Sequence, residues 1–511
     1  MSFLSLCTSI FEPFLKKFEP DGAKLPVTYM KLFPNFAITN QTKLKIHLMK
    51  HRFLSTAASL LIGASLFAAS PKYIFYYIGD GMGMGQVMGT EAYNRTVLGN
   101  TDPILMMQFP VSSVATTYSA SSPVTDSAAA GTALASGYKT RNGMLGVTPD
   151  TTAVTSIAKT LFDDGYGVGL VTSVYPDDAT PGAFYTHVPH RGMFYEIGKD
   201  AAACGYDFIG GSNLRGTKDK ATGKKTDLMD IFAENNVRVI RGTEGFDTIT
   251  SRRVLMLSPF EDRTSNIGYT IDSIPGALTL PVMTQACLTQ LERNGRDRFF
   301  MMVEGGNIDH AGHANDGGTV IKETLNFNEA LKIAYDFYLA HPDETLIVVT
   351  ADHETGGMGL GNNAVGYDLH LNYYDYQKIS KDEFSDYCHS LARSRRAYRW
   401  DDMEEFLKDK LGFWTNVPVT PEQTEMLKSE FDRCIVNQSG SDQKTLYNSF
   451  DQFTLKVFGI LDSFTGLGWT TNGHSGGLVP VYAIGVGAEK FASFNDNTDL
   501  PKLILEIATS K

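Results

Sequence analysis

The segment 302–313 combines carboxylate and imidazole side chains at a spacing suited to binding a metal ion. Glu304 follows an apolar run, and Asp309 and His313 come within the next ten residues. Asp309 and His313 are four residues apart, so they share one face if the segment is helical. Because carboxylates and imidazoles are common zinc ligands, the pattern favours a metal site over a merely polar surface.

Three shorter segments carry further candidate metal ligands, and each also has a simpler explanation. Asp352 and His353 are adjacent, but their segment is equally well explained as a polar loop. Asp80 lies between two glycines, which is more typical of a plain turn. His474 is a lone imidazole in a Gly-rich loop, where a hydrogen-bonded histidine is the commoner case. Each of these segments is therefore a weak signal when it is taken alone.

Ser127 is a candidate nucleophile for phosphate chemistry. The Ala-rich run that follows it predicts a helix over 127–136, with Ser127 in the first turn. The free backbone N–H groups and partial positive charge of a helix N-terminus suit a phosphate group. The simpler explanation is that Asp126 or Ser127 only caps the helix.

The segment 176–191 combines oxygen ligands with a guanidinium group. Asp178 and Thr180 offer the hard oxygen atoms that magnesium prefers. Arg191 could bind a phosphate through two nitrogens at once. A turn with surface charges explains the segment equally well, so the magnesium and phosphate interpretation depends on the other segments.

Apolar runs precede most of these segments and predict the strands that would position them. The runs are mostly continuous rather than alternating, as expected for strands buried on both faces. Helix-like stretches lie between them, which predicts an α/β fold with a large, mostly parallel central sheet flanked by helices. The predicted strands are 73–78, 111–118, 167–174, 298–303, 345–350 and 479–486, and the predicted helices are 127–136, 155–163 and 320–340.

The position of the candidate residues relative to these strands argues that they converge. In open α/β sheets, binding sites lie at the carboxyl ends of the strands. Six segments with complementary ligands, mostly near strand ends, favour one site with several metal ions over six unrelated loops.

Taken in order, the motifs resemble those of the alkaline phosphatases from about residue 72 to the C-terminus. The resemblance rests on Asp-Ser-Ala, Asp-Ala-Thr-Pro, Glu-Gly-Gly-x-Ile-Asp-His-x-x-His, Thr-Ala-Asp-His-Glu and Gly-His-Ser-Gly. It implies an enzyme with two zinc ions and one magnesium ion that hydrolyses small phosphate monoesters through a phosphoserine. At the family level it also implies a homodimer.

The resemblance further implies a role for each candidate residue. Ser127 is expected to be the nucleophile, and Arg191 and His310 are expected to contact the phosphate. Some bacterial members have Lys in place of His310, and the animal type usually has His in place of Asp178, so this chain carries a mixed pair. The expected ligands are Asp309, His313 and His474 for one zinc ion, Asp80, Asp352 and His353 for the other, and Asp80, Thr180 and Glu304 for magnesium, with Asp178 positioning its water molecules.

Two other functions fit part of the pattern. One is a sulfatase or phosphodiesterase of the same superfamily. The Cys/Ser-x-Pro-x-Arg motif of sulfatases is absent from the sequence, and phosphodiesterase relatives generally lack the magnesium ligands. The other is a secreted protein that binds metal or phosphate without turnover, which an intact Ser127 beside a complete ligand set disfavours.

The N-terminal residues predict export. The segment 49–70 has a basic start, a short apolar core and a small-residue end, which is typical of a secretory signal peptide and indicates a periplasmic or secreted protein. A buried helix is the alternative, since the run is too short for a confident membrane span. Residues 1–48 are then interpreted as a spurious N-terminal extension that precedes the true start at Met49.

The net charge of the chain indicates which partners to expect. The formal net charge of −12 disfavours nucleic acid as a specific partner, although bound metal ions can still attract phosphate.

Residues 71–511 are interpreted as one catalytic domain with an inserted subdomain over about 359–470, whose basic run at 393–396 indicates a solvated helix face. Besides Cys7, four cysteines allow two disulfides or four free thiols.

Overall fold

The computed structural model describes residues 70–218, 222–261, 265–394 and 398–510. Residues 1–69, which hold the expected extension and nearly all of the expected signal peptide, lie outside the described residues, as do Arg395 and Arg396 of the basic run. Each helix within these ranges is too short or too polar to span a lipid bilayer.

The elements alternate along the chain as the apolar runs predict. The strands are β1 (Tyr73–Ile78), β2 (Val111–Thr116), β3 (Gly167–Thr172), β4 (Phe208–Gly210), β5 (Val237–Arg241), β6 (Arg253–Leu257), β7 (Phe299–Glu304), β8 (Thr345–Thr350), β9 (Glu354–Thr355), β10 (Gly359–Leu360), β11 (Gln443–Lys444), β12 (Ser449–Phe450), β13 (Leu467–Gly468), β14 (His474–Ser475), β15 (Val479–Gly485) and β16 (Asn495–Asp496). The α-helices are α1 (Met84–Thr96), α2 (Ser127–Ser136), α3 (Ile157–Asp163), α4 (Ala179–Gly182), α5 (Phe194–Ala203), α6 (Leu228–Glu234), α7 (Leu280–Arg293), α8 (Asn307–Ala314), α9 (Gly317–Ala340), α10 (Lys381–Arg393), α11 (Trp400–Leu411), α12 (Pro421–Phe431), α13 (Gln452–Thr465) and α14 (Asp499–Thr509).

Ten strands form the central sheet, in the order β16-β2-β15-β8-β1-β7-β3-β4-β6-β5. β15 runs antiparallel to both of its neighbours, and the other pairs are parallel. All six predicted strands belong to this sheet, so the predicted mostly parallel α/β fold is confirmed. Strands β4, β5, β6 and β16 were not predicted.

The centre of the sheet is fully buried because helices cover it. Strand β1 lies between β7 and β8, and its aromatic side chains pack against residues of β7 and α9. The rings of Tyr73 and Phe75 lie 4.9 and 5.3 Å from the ring of Phe299, and both contact Phe337 of α9. This packing holds the three central strands against the long helix that follows α8.

The parallel register brings the carboxyl ends of the central strands to one level. Ile78, the last residue of β1, pairs with Glu304 of β7 and with Thr350 of β8. Thr172, the last residue of β3, pairs with the same Glu304. The loops that follow β1, β3, β7 and β8 therefore start side by side, as expected for a site at the carboxyl ends of strands.

Residues 359–470 contain α10 to α13 and short two-residue strands, while all ten strands of the central sheet lie outside this range. Its description as an inserted subdomain stays a prediction. Of the two alternatives for the cysteines in the described residues, the structure contains free thiols at Cys204, Cys287, Cys388 and Cys434.

Candidate metal and phosphate site

The first cluster of metal-binding side chains joins helix α8 to the short strand β14. Asp309, His313 and His474 have ligand atoms within 4.8 Å of one another. The helix places Asp309 Oδ2 3.4 Å from His313 Nε2, as the four-residue spacing predicts. His313 Nε2 lies 3.1 Å from His474 Nε2.

Backbone carbonyl groups fix the two imidazoles of this first cluster. The Nδ1–H of His313 donates to the carbonyl of Asn472 at 2.6 Å, and that of His474 donates to the carbonyl of Thr125 at 2.8 Å. Since a carbonyl only accepts, each neutral ring keeps a lone pair on Nε2, the atom that faces the centre. Such contacts commonly orient histidine ligands of metal ions.

The second cluster lies at the ends of β1 and β8. Asp80, Asp352 and His353 also have ligand atoms within 4.8 Å of one another. The backbone N–H groups of Gly81 and His353 donate to Asp352 Oδ1 at 3.1 and 2.9 Å, which leaves Oδ2 directed at His353 Nε2, 3.2 Å away. Gly81 has a φ of +71°, and a Cβ there would lie 2.9 Å from the Cα of Asp309, so the turn needs glycine.

Thr355 connects the two clusters. Its hydroxyl donates to Asp309 Oδ1 of the first cluster and lies 3.2 Å from His353 Nδ1 of the second. The hydroxyl has one proton, which Asp309 accepts, so His353 Nδ1–H is the donor in the other contact and His353 Nε2 keeps its lone pair. The rings of His353 and His474 stack with centroids 3.6 Å apart, so the two clusters form one centre.

The remaining predicted ligands, Thr180 and Glu304, are buried at the start of α4 and the end of β7. Gly131 of α2 allows α4 to approach closely, since a Cβ there would lie 3.2 Å from the Cα of Thr180. Five buried oxygen atoms of predicted ligands have no hydrogen-bond partner among the described residues, namely Asp80 Oδ1, Thr180 Oγ1, Glu304 Oε2, Asp309 Oδ2 and Asp352 Oδ2. Because unpaired buried polar atoms are costly, this cluster of oxygens fits bound cations.

The electrostatics of the centre also favour cations. Burial and neighbouring carboxylates raise the pKa of Glu304 to about 8 and that of Asp352 to about 7, and they raise the pKa of Asp80 well above its usual value. Burial lowers the pKa of His353 well below its usual value, and it also lowers that of His474. The imidazoles of His353 and His474 are therefore neutral at pH 7, as metal binding requires.

Asp309 differs from the other carboxylates of the centre. Burial alone would raise its pKa, but the surrounding histidines His313, His474 and His353 lower it below the usual value. Asp309 therefore stays ionised at the point where the two clusters meet.

Ser127 is the first residue of α2 and faces this centre. Its Oγ lies 3.1 Å from His353 Nε2 and the side chain is buried. Asp126 caps the helix, because its Oδ1 accepts from the backbone N–H of Ala129 at 3.0 Å. Asp126 therefore caps the helix, while the adjacent Ser127 lies beside the candidate metal ligands.

Arg191 and Asp178 lie beside the centre and are paired with each other. Arg191 Nη2 donates to Asp178 Oδ1 at 2.9 Å, and its Nη1 lies 3.5 Å from Asp126 Oδ2. Asp178 also lies 3.6 Å from Arg215, which no motif in the sequence indicated. The expected role of Asp178 in positioning magnesium-bound water stays a prediction.

Tyr447 is a second contact that the sequence did not indicate. It lies between β11 and β12 within 359–470, and its ring stacks on His310 with centroids 3.8 Å apart. Burial raises the pKa of its hydroxyl well above the usual value, and the charges of Asp309 and Arg191 shift that pKa in opposite directions. The hairpin lies between the Thr-Ala-Asp-His-Glu and Gly-His-Ser-Gly motifs and carries none of them, so only the tertiary structure brings Tyr447 here.

Comparison of the sequence with known families finds one match over nearly all of the described residues. The sequence profile of the family described as "Alkaline phosphatase" matches residues 71–510. "Alkaline phosphatase 4" of Bacillus subtilis is 28% identical over 485 residues, which cover 90% of this chain and 97% of that protein. "Repressible alkaline phosphatase" of Saccharomyces cerevisiae is 28% identical over 448 residues, 81% of this chain and 75% of that protein.

Comparison of the fold with solved structures gives the same result. The cold-active alkaline phosphatase of the psychrophile Shewanella sp. superposes with a TM-score of 0.72 at 28% identity, covering 86% of this chain and 100% of that one. The alkaline phosphatase of Thermus thermophilus gives a TM-score of 0.69 at 25% identity, covering 86% of this chain and 91% of that one.

Proposed function

The chain belongs to the alkaline phosphatase family and hydrolyses phosphate monoesters, and we propose that it does so through a phosphoserine formed on Ser127. The observation that carries the proposal is the position of Ser127 Oγ, buried and 3.1 Å from His353 Nε2 at the edge of the candidate metal centre. A serine hydroxyl is a weak nucleophile unless its surroundings activate it, and this location supplies such surroundings.

The centre fits the two zinc ions and one magnesium ion that the resemblance implies. Asp309, His313 and His474 would hold one zinc ion, and Asp80, Asp352 and His353 the other. Asp80, Thr180 and Glu304 would hold magnesium, whose waters Asp178 would position. When bound, these ions would supply positive charge that stabilises the oxygens entering and leaving phosphorus.

The protein groups around Ser127 would bind and orient the substrate. The N-terminus of α2 would offer backbone N–H groups to an anion beside Ser127, as helix N-termini do. Arg191 would bind two phosphoryl oxygens, and its ion pairs with Asp178 and Asp126 hold the guanidinium in place. His310, which follows Asp309 in α8, would contact the phosphate, as the resemblance implies.

The reaction would take two displacements at phosphorus. In the first, a bond forms between Ser127 Oγ and phosphorus while the bond to the ester oxygen breaks, and the proton lost by the serine hydroxyl balances the proton gained by the leaving alcohol. In the second, water attacks phosphorus, the bond to Ser127 Oγ breaks and inorganic phosphate is released. The serine returns to its starting state.

Replacing Ser127 tests this proposal. Ser127→Ala is expected to lower turnover of p-nitrophenyl phosphate by several orders of magnitude and to abolish phosphoserine, detected as a mass increase after acid quenching. Ser136→Ala is the matched control, because Ser136 lies at the other end of the same helix, where its hydroxyl donates to the carbonyl of Thr132 and accepts from the N–H of Tyr138. Near-normal turnover by Ser127→Ala would rule out this nucleophile.

Two expectations about the whole protein remain part of the proposal. The segment 49–70 supports export to the periplasm or the medium. The family resemblance supports a homodimer. Cell fractionation of the full-length protein and light scattering of the purified enzyme would test these two points separately.

A further inference from the structure

A short hairpin of the region 359–470 carries an aromatic side chain to the edge of the centre. Strands β11 and β12 pair antiparallel, and their connection contains Tyr447. The connection is closed by hydrogen bonds between Thr445 and Asn448, from the N–H of Thr445 to the carbonyl of Asn448 at 2.8 Å and from the N–H of Asn448 to the Thr445 hydroxyl at 3.1 Å. The tip of the hairpin is therefore a defined turn.

Contacts on both sides fix the position of this hairpin. The side chain of Gln443 donates to the side chain of Asn472 at 2.9 Å. The backbone carbonyl of the same Asn472 orients His313. On the other strand, the carbonyl of Ser449 accepts from the hydroxyl of Ser385 in α10 at 3.2 Å. The hairpin is thus tied both to the metal-ligand loop and to the helices of its own region.

The Tyr447 ring packs against two imidazoles beside the centre, and part of its side chain stays exposed. The ring lies 3.8 Å from the ring of His310 at 33°, and 5.2 Å from that of His313 at 77°, measured between centroids. The side chain is only partly buried by its neighbours, and its hydroxyl makes no hydrogen bond to the described part of the chain. An aromatic side chain with exposed surface therefore lies beside the centre.

The contacts that Ser127 and Tyr447 make with the two clusters indicate on which side of the centre each residue lies. Ser127 contacts His353 of the second cluster, whereas Tyr447 contacts His313 of the first. In an in-line displacement the leaving oxygen departs opposite the attacking oxygen. A substrate bound between Ser127 and the first cluster would therefore direct its leaving group toward the side that holds Tyr447.

We propose that Tyr447 is a specificity-determining residue that contacts the alcohol portion of the substrate and favours aromatic over small aliphatic leaving groups. The proposal rests on the phosphomonoesterase mechanism set out above. A flat leaving group can pack against the exposed part of the tyrosine ring, which adds both apolar contact and aromatic pairing. A small, hydrated alcohol gains little from the same surface.

The test compares two substrates in three variants with full metal content. We expect Tyr447→Ala to lower kcat/KM for p-nitrophenyl phosphate by about five- to tenfold, the size of a typical aromatic contact. The same variant should change kcat/KM for glycerol 2-phosphate by less than about twofold. Tyr447→Phe, which keeps the ring, should retain at least half of the wild-type preference for the aryl ester.

Two controls separate leaving-group contact from other effects. Leu446→Ala changes the exposed neighbouring residue on the same turn and should leave both substrates unaffected. The inhibition constant of inorganic phosphate, which has no leaving group, should be the same in all variants.

The proposal is overturned if Tyr447→Ala slows both substrates equally, or if it weakens phosphate inhibition by the same factor. Failure of the phosphoserine mechanism would instead appear as the absence of phosphoserine in the wild type, whatever the substrate preference of the Tyr447 variants.

Discussion

At the residue scale, the two ligand clusters share a single hydroxyl. Thr355 donates to Asp309 and accepts from His353, so one side chain orients a carboxylate of the first cluster and an imidazole of the second. Groups that orient metal ligands without touching the ion commonly change metal affinity by about 10- to 100-fold when they are removed. Thr355 is buried, so water cannot readily replace its hydroxyl.

This arrangement predicts the effect of replacing Thr355. Thr355→Val keeps the shape and removes the hydroxyl, and it should weaken zinc binding by at least about tenfold. Thr355→Ser keeps the hydroxyl and should restore most of the affinity. Zinc retained by each variant during titration with a competing chelator measures the effect. Equal retention by Thr355→Val and the wild type would show that the hydroxyl does not position the ligands.

At the element scale, helix α2 positions Ser127 through its N-cap. Asp126 accepts from the N–H of Ala129 through Oδ1 and from the N–H of Gly143 at 2.9 Å through Oδ2, and it also lies beside Arg191. One carboxylate therefore fixes the start of the helix, the following loop and the predicted phosphate-binding guanidinium. Loss of this side chain should affect both folding and catalysis.

Replacing Asp126 separates these two effects when it is compared with a remote cap. Asp126→Ala should lower the free energy of unfolding by about 1 kcal/mol, the usual value of an N-cap, and should also lower kcat/KM by about tenfold or more. Thr420→Ala removes the capping box of α12, far along the chain, and should lower stability alone. Denaturant titration and steady-state kinetics measure the two quantities. An Asp126→Ala enzyme with normal kcat/KM would contradict the positioning role.

The elements also show how much of the fold can be predicted from the sequence and where that fails. Most of the six predicted strands are apolar runs, so their existence and the strand-end location of the ligands follow from the pattern alone. Strands β4 and β16 have three and two residues, too few to show any periodicity. Strand β5, at the edge of the sheet, contains Arg238 and Arg241 and so lacks a continuous apolar run.

The residues of the site likewise divide into those that the sequence indicates and those that it does not. The ligand clusters follow strands or lie on a helix next to one, so local patterns and the family motifs are enough to indicate them. Arg215 and Tyr447 lie on loops whose paths depend on distant contacts, such as the Gln443–Asn472 hydrogen bond. The local sequence pattern does not indicate such long-range contacts. These are therefore the residues of the site that only the structure adds.

At the scale of the whole molecule, the centre links stability to pH. Burial raises the pKa values of Glu304, Asp352 and Asp80, so the folded, metal-free protein retains protons that the unfolded chain has already lost. Its stability must therefore fall as the pH rises through these values. Asp309 and the histidines with lowered pKa values have the same charge in both states above pH 7, and they add no slope there.

Metal removal should consequently destabilise the protein more at high pH than at neutral pH. Bound cations would keep the carboxylates ionised in the folded state and so remove the slope, which is about 1.4 kcal/mol per pH unit for each proton involved. We expect the difference in unfolding midpoint between metal-loaded and chelated protein to widen from pH 7 to pH 9. Thermal unfolding at three pH values measures it, and Glu304→Gln, which lacks the group with a pKa of about 8, should show a smaller slope when chelated. All other buried carboxylates are common to the metal-loaded and the chelated protein. If the unfolding midpoints of the two differ by the same amount at every pH, the centre does not take up protons when the metals leave.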